Sequence, residues 1–166
     1  RLPNEERLRA GRLAEGRPVL LALLVDLMTV ASVSTINDLL DQVEQSAAGM
    51  ENRADVRHTL ETALIKRLKE ATGRLGDTVE MLGRARKGVD KLLAAKLLEI
   101  SEQEAFLRLG EAKRMSFVKV RPEDERVFLH DEMYDILERA LYRAPEDEVA
   151  AEEANVVILY AYERRI

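Results

Sequence analysis

The sequence predicts a mainly α-helical chain. A small helical bundle comes first, then a winged helix with a three-helix core and a β-hairpin wing at about 117–130, then a C-terminal helix. Three observations carry this. Ala, Leu, Glu, Arg and Lys dominate, and aromatic residues make up only 4%, a mixture that favours helices. Apolar residues recur at helical spacing through most of the chain. Over 117–130 alone the period switches to two, and the hairpin so marked follows three short, tightly joined helical segments.

The elements follow in order. "PNEERLRAGRLAEG" (3–16), with Leu2, Leu8 and Leu13 between charges, reads as a short amphipathic helix ended by Gly16. "GRPVLLALLVDLM" opens a new helix, because Pro18 suits a first turn where its missing N–H is no loss. That helix is apolar nearly all round and is expected to be buried. "SVSTINDLLDQVEQSAAG" offers Ser34 as a cap and Leu39 and Leu40 as core, with Gly49 and Asn52 marking the next break. "ADVRHTLETALIKRLKEATG" places Val56, Leu60, Ala63, Leu64 and Leu68 on one helical stripe, which Gly73 ends.

From Leu75 the helices shorten. "LGDTVEMLGRA" and "GVDKLLAAKLLEI" are followed with almost no linker by "SEQEAFLRLGEAKRM", where Ser101 and Glu104 form the S-x-x-E pattern of a capping box. In "SFVKV", Val118 and Val120 share one face and Phe117 and Lys119 the other. "RPEDER" is the turn, with Pro122 and Asp124 as turn formers, and Val127 and Leu129 share a face of the returning strand. "DEMYDILERALYR" is a closing helix with Asp131 as N-cap and Met133, Ile136, Leu137 and Leu141 as the inward stripe. "APEDEVAAEEANVVILYAYERRI" begins a last helix at Pro145. The domains expected are a helical domain over 1–73, a winged helix over 74–143, and over 144–166 a linker helix or the first unit of a helical repeat array. No internal period is visible.

Composition excludes several functions. There is no cysteine, hence no disulfide framework and no thiolate chemistry, which agrees with a reducing cytoplasm. The longest apolar run, "PVLLALLV", stops at Asp26, far short of the roughly 20 residues that span a bilayer. No secretory leader is visible. The net charge of −5 argues against a nucleic-acid partner, which recruits a basic surface. The chain starts at Arg1 and stops within a helical pattern, so it reads as a portion of a larger polypeptide.

Catalytic and metal motifs are missing. Gly-Lys never occurs, so there is no P-loop, and neither H-E-x-x-H nor G-x-S-x-G is found. His58 and His130, the only two histidines, lie in different expected domains and make no zinc site. No catalytic residue is expected. His130 stands apart because of its place at the joint between the second strand and the next helix, with Asp131 beside it. Alone it reads as a strand-end histidine that hydrogen-bonds locally. Held on a capped turn, its imidazole can offer a hydrogen bond or a positive charge to a phosphate. Arg84, Arg86 and Lys87 make a short basic patch that reads as solvated surface.

Two short motifs carry a resemblance. Gly16-Arg17-Pro18 opens an apolar helix, and Leu129-His130-Asp131 ends the wing. In this order the chain resembles the middle portion of STAND-type signalling NTPases, the group that includes NB-ARC proteins, which place a P-loop domain before a helical domain and a winged helix. Their wing motif carries Met where this chain has Leu129, an apolar exchange of similar volume. The resemblance covers about residues 1–143 and implies that Pro18 packs beside the adenine of ADP or ATP. It implies that His130 contacts the β-phosphate of ADP and holds a resting state. Gly16 and Asp131 support the two turns. Arg17 stands at a variable position. Magnesium, an upstream P-loop domain, downstream sensor repeats and an oligomer on activation belong to the implied parent protein, not to this fragment.

Three functions fit these residues. One is a regulatory fragment of a nucleotide-switched ATPase, acting by a population shift between ADP and ATP forms. Another is a winged-helix DNA-binding regulator, against which the acidic wing tip "PEDE" and the glutamates of 102–111 weigh. The last is a protein-docking module.

Overall fold

The computed structural model describes residues 4–30, 33–141 and 145–163. The chain divides into two compact units, Arg1–Thr72 and Gly73–Ile166. Among the described residues the first unit holds α1 (Asn4–Leu13), α2 (Pro18–Val30), α3 (Val33–Ala47) and α4 (Arg53–Thr72). The second holds α5 (Arg74–Arg84), α6 (Lys91–Leu97), α7 (Glu102–Ala112), β1 (Val118–Val120), β2 (Val127–Leu129), α8 (Asp131–Leu141) and α9 (Pro145–Glu163). The chain is therefore mainly helical with one small antiparallel sheet.

In the first unit α4 packs against α2 and α3, and α1 touches all three. Leu20, Leu23 and Leu27 of α2 meet a core shared with Ile36, Leu39, Leu40, Leu60, Leu64 and Leu68, all buried. The helix expected to be apolar all round is inward on one side only, since Val25 is 56% exposed. α1 departs further. Leu8 is exposed and Leu13 only half-buried, while the fully buried residues are Ala10 and, just past the helix, Ala14. Small side chains let the α1 backbone approach closely, so the alanines line the contact. Leu2 lies outside the described residues. Ser34 falls inside α3 rather than at its cap.

The second unit is built on α5, which contacts α7, α8, α9 and β2. Asp90 caps α6 by accepting the N–H groups of Leu92 and Leu93, and Ser101 caps α7 by accepting that of Glu104. β1 and β2 pair with Val118 opposite Leu129 and Val120 opposite Val127. Val89 adds an isolated bridge to Val127 on the other edge of β2. Gly88, with φ +86°, permits this, since a Cβ there would lie 3.1 Å from Arg126 Cβ. Phe117, Val127, Leu129, Met133, Ile136 and Leu137 complete the core; the side chain of Leu141 lies outside the described residues.

Residues 145–163, expected as a linker or the start of an array, form one helix that packs on α5 and α6. The Tyr162 hydroxyl donates to the Gly88 carbonyl at 2.7 Å, and the cations of Lys87 and Arg126 lie 5.6 and 5.2 Å from its ring centroid. α9 is thereby anchored to the turn that begins the sheet.

Candidate functional site

The β2–α8 joint is fixed by its backbone. The His130 N–H donates to the Phe117 carbonyl at 2.8 Å, and the His130 carbonyl accepts the Met133 N–H at 2.8 Å. One residue back, the Leu129 N–H donates to the Tyr134 hydroxyl at 3.1 Å. Tyr134 is buried, and the Arg86 guanidinium lies 5.1 Å from its ring centroid. Burial pushes the Tyr134 hydroxyl above its ordinary pKa, while the Leu129 N–H and Arg86 pull the other way. The imidazole of His130 is exposed at the surface of this pinned joint. Asp131, expected as the N-cap, is instead the first residue of α8. Its carboxylate therefore stands in the first turn, where the helix dipole favours negative charge.

The Gly16–Pro18 turn is equally defined. The Gly16 N–H reaches the Gly11 carbonyl at 3.3 Å and the Glu15 N–H reaches that of Arg12 at 3.1 Å, the paired bonds of a Schellman motif. Glu15 takes the left-handed position at φ 50°, followed by Gly16 at φ 70°. Pro18 is the first residue of α2 and is exposed. Arg17 has a defined role here. Its Nη1 lies 3.6 Å from Glu61 Oε1, which Arg57 Nε also approaches at 3.8 Å, and Glu61 is only 1% exposed. A buried carboxylate on α4 thus ties down the turn. The sequence held one signal for this: Glu61 adjoins Leu60 on an inward row that continues at Leu64 and Ile65, wider than the leucine stripe alone.

Of the residues singled out from the sequence, Gly16 and Pro18 share one turn and His130 and Asp131 share one joint. The two pairs lie in different compact units. The described residues contain no group of His, Cys, Asp or Glu that could hold a metal ion. Among the described residues no helix is long and apolar enough to cross a membrane.

The basic patch is paired. Arg84 contacts Glu80 at 3.2 Å, Arg86 contacts Asp135 and Glu138 at 3.3 and 3.5 Å, and Lys87 stacks on Tyr162. On α7, Arg108 bonds Glu104, which also meets Arg74. The Arg108 and Arg74 guanidiniums hold the Glu104 carboxyl below its ordinary pKa. Glu104 therefore does not close the capping box expected with Ser101. Among the surface hollows of this unit, two are of note. One of about 430 Å³ runs between α6, α7 and the hairpin turn, with Leu92, Phe106, Lys113 and Glu125 on its walls. The other, about 210 Å³, lies between α5, the end of α6 and α9.

Comparison with protein-family models, with curated proteins and with solved structures returns no match to this chain.

Proposed function

We propose that this chain is the regulatory portion of a nucleotide-switched signalling ATPase of the STAND type, a helical lid domain followed by a winged helix. The observation that carries this reading is His130: an exposed imidazole on a hairpin–helix joint whose backbone is bonded on both sides. The order α5, Val89 bridge, α6, α7, β1, β2 supports the winged-helix part of this reading. In such a protein Pro18 packs against the adenine of ADP or ATP and His130 hydrogen-bonds the β-phosphate of ADP. Gly16 and Asp131 hold the two turns, and Mg²⁺ is bound with the P-loop of the parent polypeptide. Exchange of ADP for ATP releases the His130 contact and shifts the population to the active form, with assembly into an oligomer as the output. The setting is cytoplasmic and the fragment itself has no catalytic role.

The test uses the parent polypeptide with its P-loop domain. Nucleotide released on denaturation is identified and counted, with His130→Ala alongside. The expected result is ADP held by the wild type and a loss of about tenfold in retention in the variant, the size of one charge-assisted hydrogen bond. Equal ADP content in both removes the reading.

The DNA-binding alternative loses ground on α7. Two of its glutamates, Glu102 and Glu104, pair with Lys91, Arg74 and Arg108, so those cations are already neutralised. A phosphate-tracking surface needs them unpaired.

A further inference from the structure

The hollow of about 430 Å³ between α6, α7 and the hairpin turn is apolar at its centre and charged at its edge. Leu109 lines it from within, at 4% exposed, while Leu92 of α6 and Phe106 of α7 line it at 42% and 62% exposed. Two large apolar side chains left in water around one concavity differ from singly scattered surface residues and mark a contact surface. The volume lies in the range of about 300–1,000 Å³ that encloses a bound group.

The edge carries both signs of charge, sorted by element. Lys91 of α6 and Lys113 at the end of α7 stand on the helices, and Glu125 stands on the hairpin turn. Lys113 and Glu125 are exposed and have no ion-pair partner among the described residues. The contact of Lys91 with Glu102 is 3.6 Å long and more than half exposed at both ends, so it is weak and exchangeable. The other two carboxylates of the wall are engaged: Asp90 caps α6, and Asp124 takes Arg121 and Arg126. An apolar centre within a polar, wet rim is the anatomy of a protein contact. A small-molecule site gathers a few polar groups inside, whereas the uncommitted polar groups here stand at the edge.

We infer that this hollow docks a short peptide segment of a partner protein, one that seats a large apolar side chain on Leu92, Phe106 and Leu109 and presents an acidic residue to Lys113 and a basic residue to Glu125. Charge complementarity selects this occupant. A nucleic-acid backbone would bring phosphates against Glu125 and Asp124, and a purely apolar segment would leave both rim charges unanswered. One anchor and two rim charges make a weak, reversible complex, with a Kd on the order of 0.1–1 mM for an isolated peptide. The inference needs no nucleotide and stands apart from the role of His130.

Methyl-selective NMR of the full chain, read at the Leu92 and Leu109 methyls, tests this with four acetylated and amidated peptides. The first is Glu-Ala-Phe-Leu-Ala-Lys. The second and third carry Glu or Lys at both ends, and the fourth carries Ser in place of Phe and Leu. The wild type is expected to bind the mixed-charge peptide about threefold tighter than either same-charge one and the serine peptide not at all. Lys113→Glu turns the preference to the peptide with Lys at both ends, and Glu125→Lys turns it to the one with Glu at both ends. Phe106→Ala, an exposed change that leaves folding intact, weakens all three apolar peptides about tenfold. Methyls that stay still up to about 5 mM peptide, or that respond equally to the serine peptide or in Phe106→Ala, overturn the inference. A wild type without charge preference, or a preference that both rim variants leave unchanged, also overturns it. Shifts that follow protein concentration without peptide name a second copy as the occupant, and shifts produced only by a short random DNA duplex name nucleic acid; either result replaces the peptide and overturns the inference.

Discussion

Tyr134 supports the His130 joint from beneath, because its hydroxyl is the acceptor for the Leu129 N–H in a buried strand. Tyr134→Phe leaves that donor without its partner and is expected to lower unfolding free energy by about 1–3 kcal/mol at neutral pH, read from a urea midpoint. The pH dependence has a definite sign. Burial raises the folded pKa of Tyr134 above its unfolded value, which is about 10. The stabilisation is therefore present below pH ~10 and lost as pH climbs through the folded value. The alkaline fall in stability should be shallower in the phenylalanine variant, with a remainder from Tyr162, which burial also raises. Identical alkaline slopes in the two proteins would show that Tyr134 is not the titrating group. At this scale the sequence was legible where a residue type is rare. Only two histidines occur, and His130 stood out by its position. Tyr134 was not legible, and of Glu61 only its place on an inward row was, because each acts through a partner brought near by folding. Tyr134 reaches back across the joint, and Glu61 meets Arg17 from another helix.

Turn chemistry decides where the elements stop, and not always by the residue a sequence rule favours. α6 ends in a Schellman motif, with the Ile100 N–H on the Ala95 carbonyl at 3.0 Å and the Glu99 N–H on that of Lys96. The left-handed position is Glu99, at φ 53°, where a Cβ is crowded against the backbone. Glu99→Gly relieves this and is expected to raise stability by up to about 1 kcal/mol, the gain limited by glycine's larger unfolded-state entropy. Gly88→Ala makes the opposite change at φ +86° and should destabilise by more than 1 kcal/mol or so. Midpoints moving the same way in both variants would contradict the account. The hairpin and the Ser101 cap were legible because a period of two and an S-x-x-E pattern are local. α1 was misread because its contact is made by alanines, which leave no mark in a search for large apolar residues. Glu104 was misread because its carboxylate turns to Arg108 and Arg74, residues whose approach no local pattern reports.

The whole chain consists of two compact units, and each has the parts of an independent fold. Leu60, Leu64 and Leu68 are buried with Leu20, Leu23 and Leu39 inside residues 1–72, and Phe117, Leu129, Met133 and Ile136 are buried inside 73–166. The division at Gly73, whose φ is +41°, falls where the helical stripe of α4 ends, and that ending was visible in the sequence. The role of residues 145–163 was not: their anchor is one tyrosine hydroxyl on a carbonyl 74 positions earlier, a contact that no local pattern reports. Fragments 1–72 and 73–166 are therefore expected to fold separately, each with one cooperative urea transition by far-ultraviolet circular dichroism. Domains of this size are marginal, with unfolding free energies on the order of 5 kcal/mol. A core truncation then has a large relative effect. Leu64→Ala should remove about 2–5 kcal/mol from 1–72, most of its stability, and Ile136→Ala should do the same to 73–166. Tyr162→Phe is the finer probe in the second fragment. It deletes the hydroxyl that binds Gly88 and should lower stability by about 1 kcal/mol, whereas a helix serving only as a linker would show no change. A gradual, non-cooperative transition in either fragment would mean that its core is incomplete without the other, and the two units would have to be regarded as one folding domain.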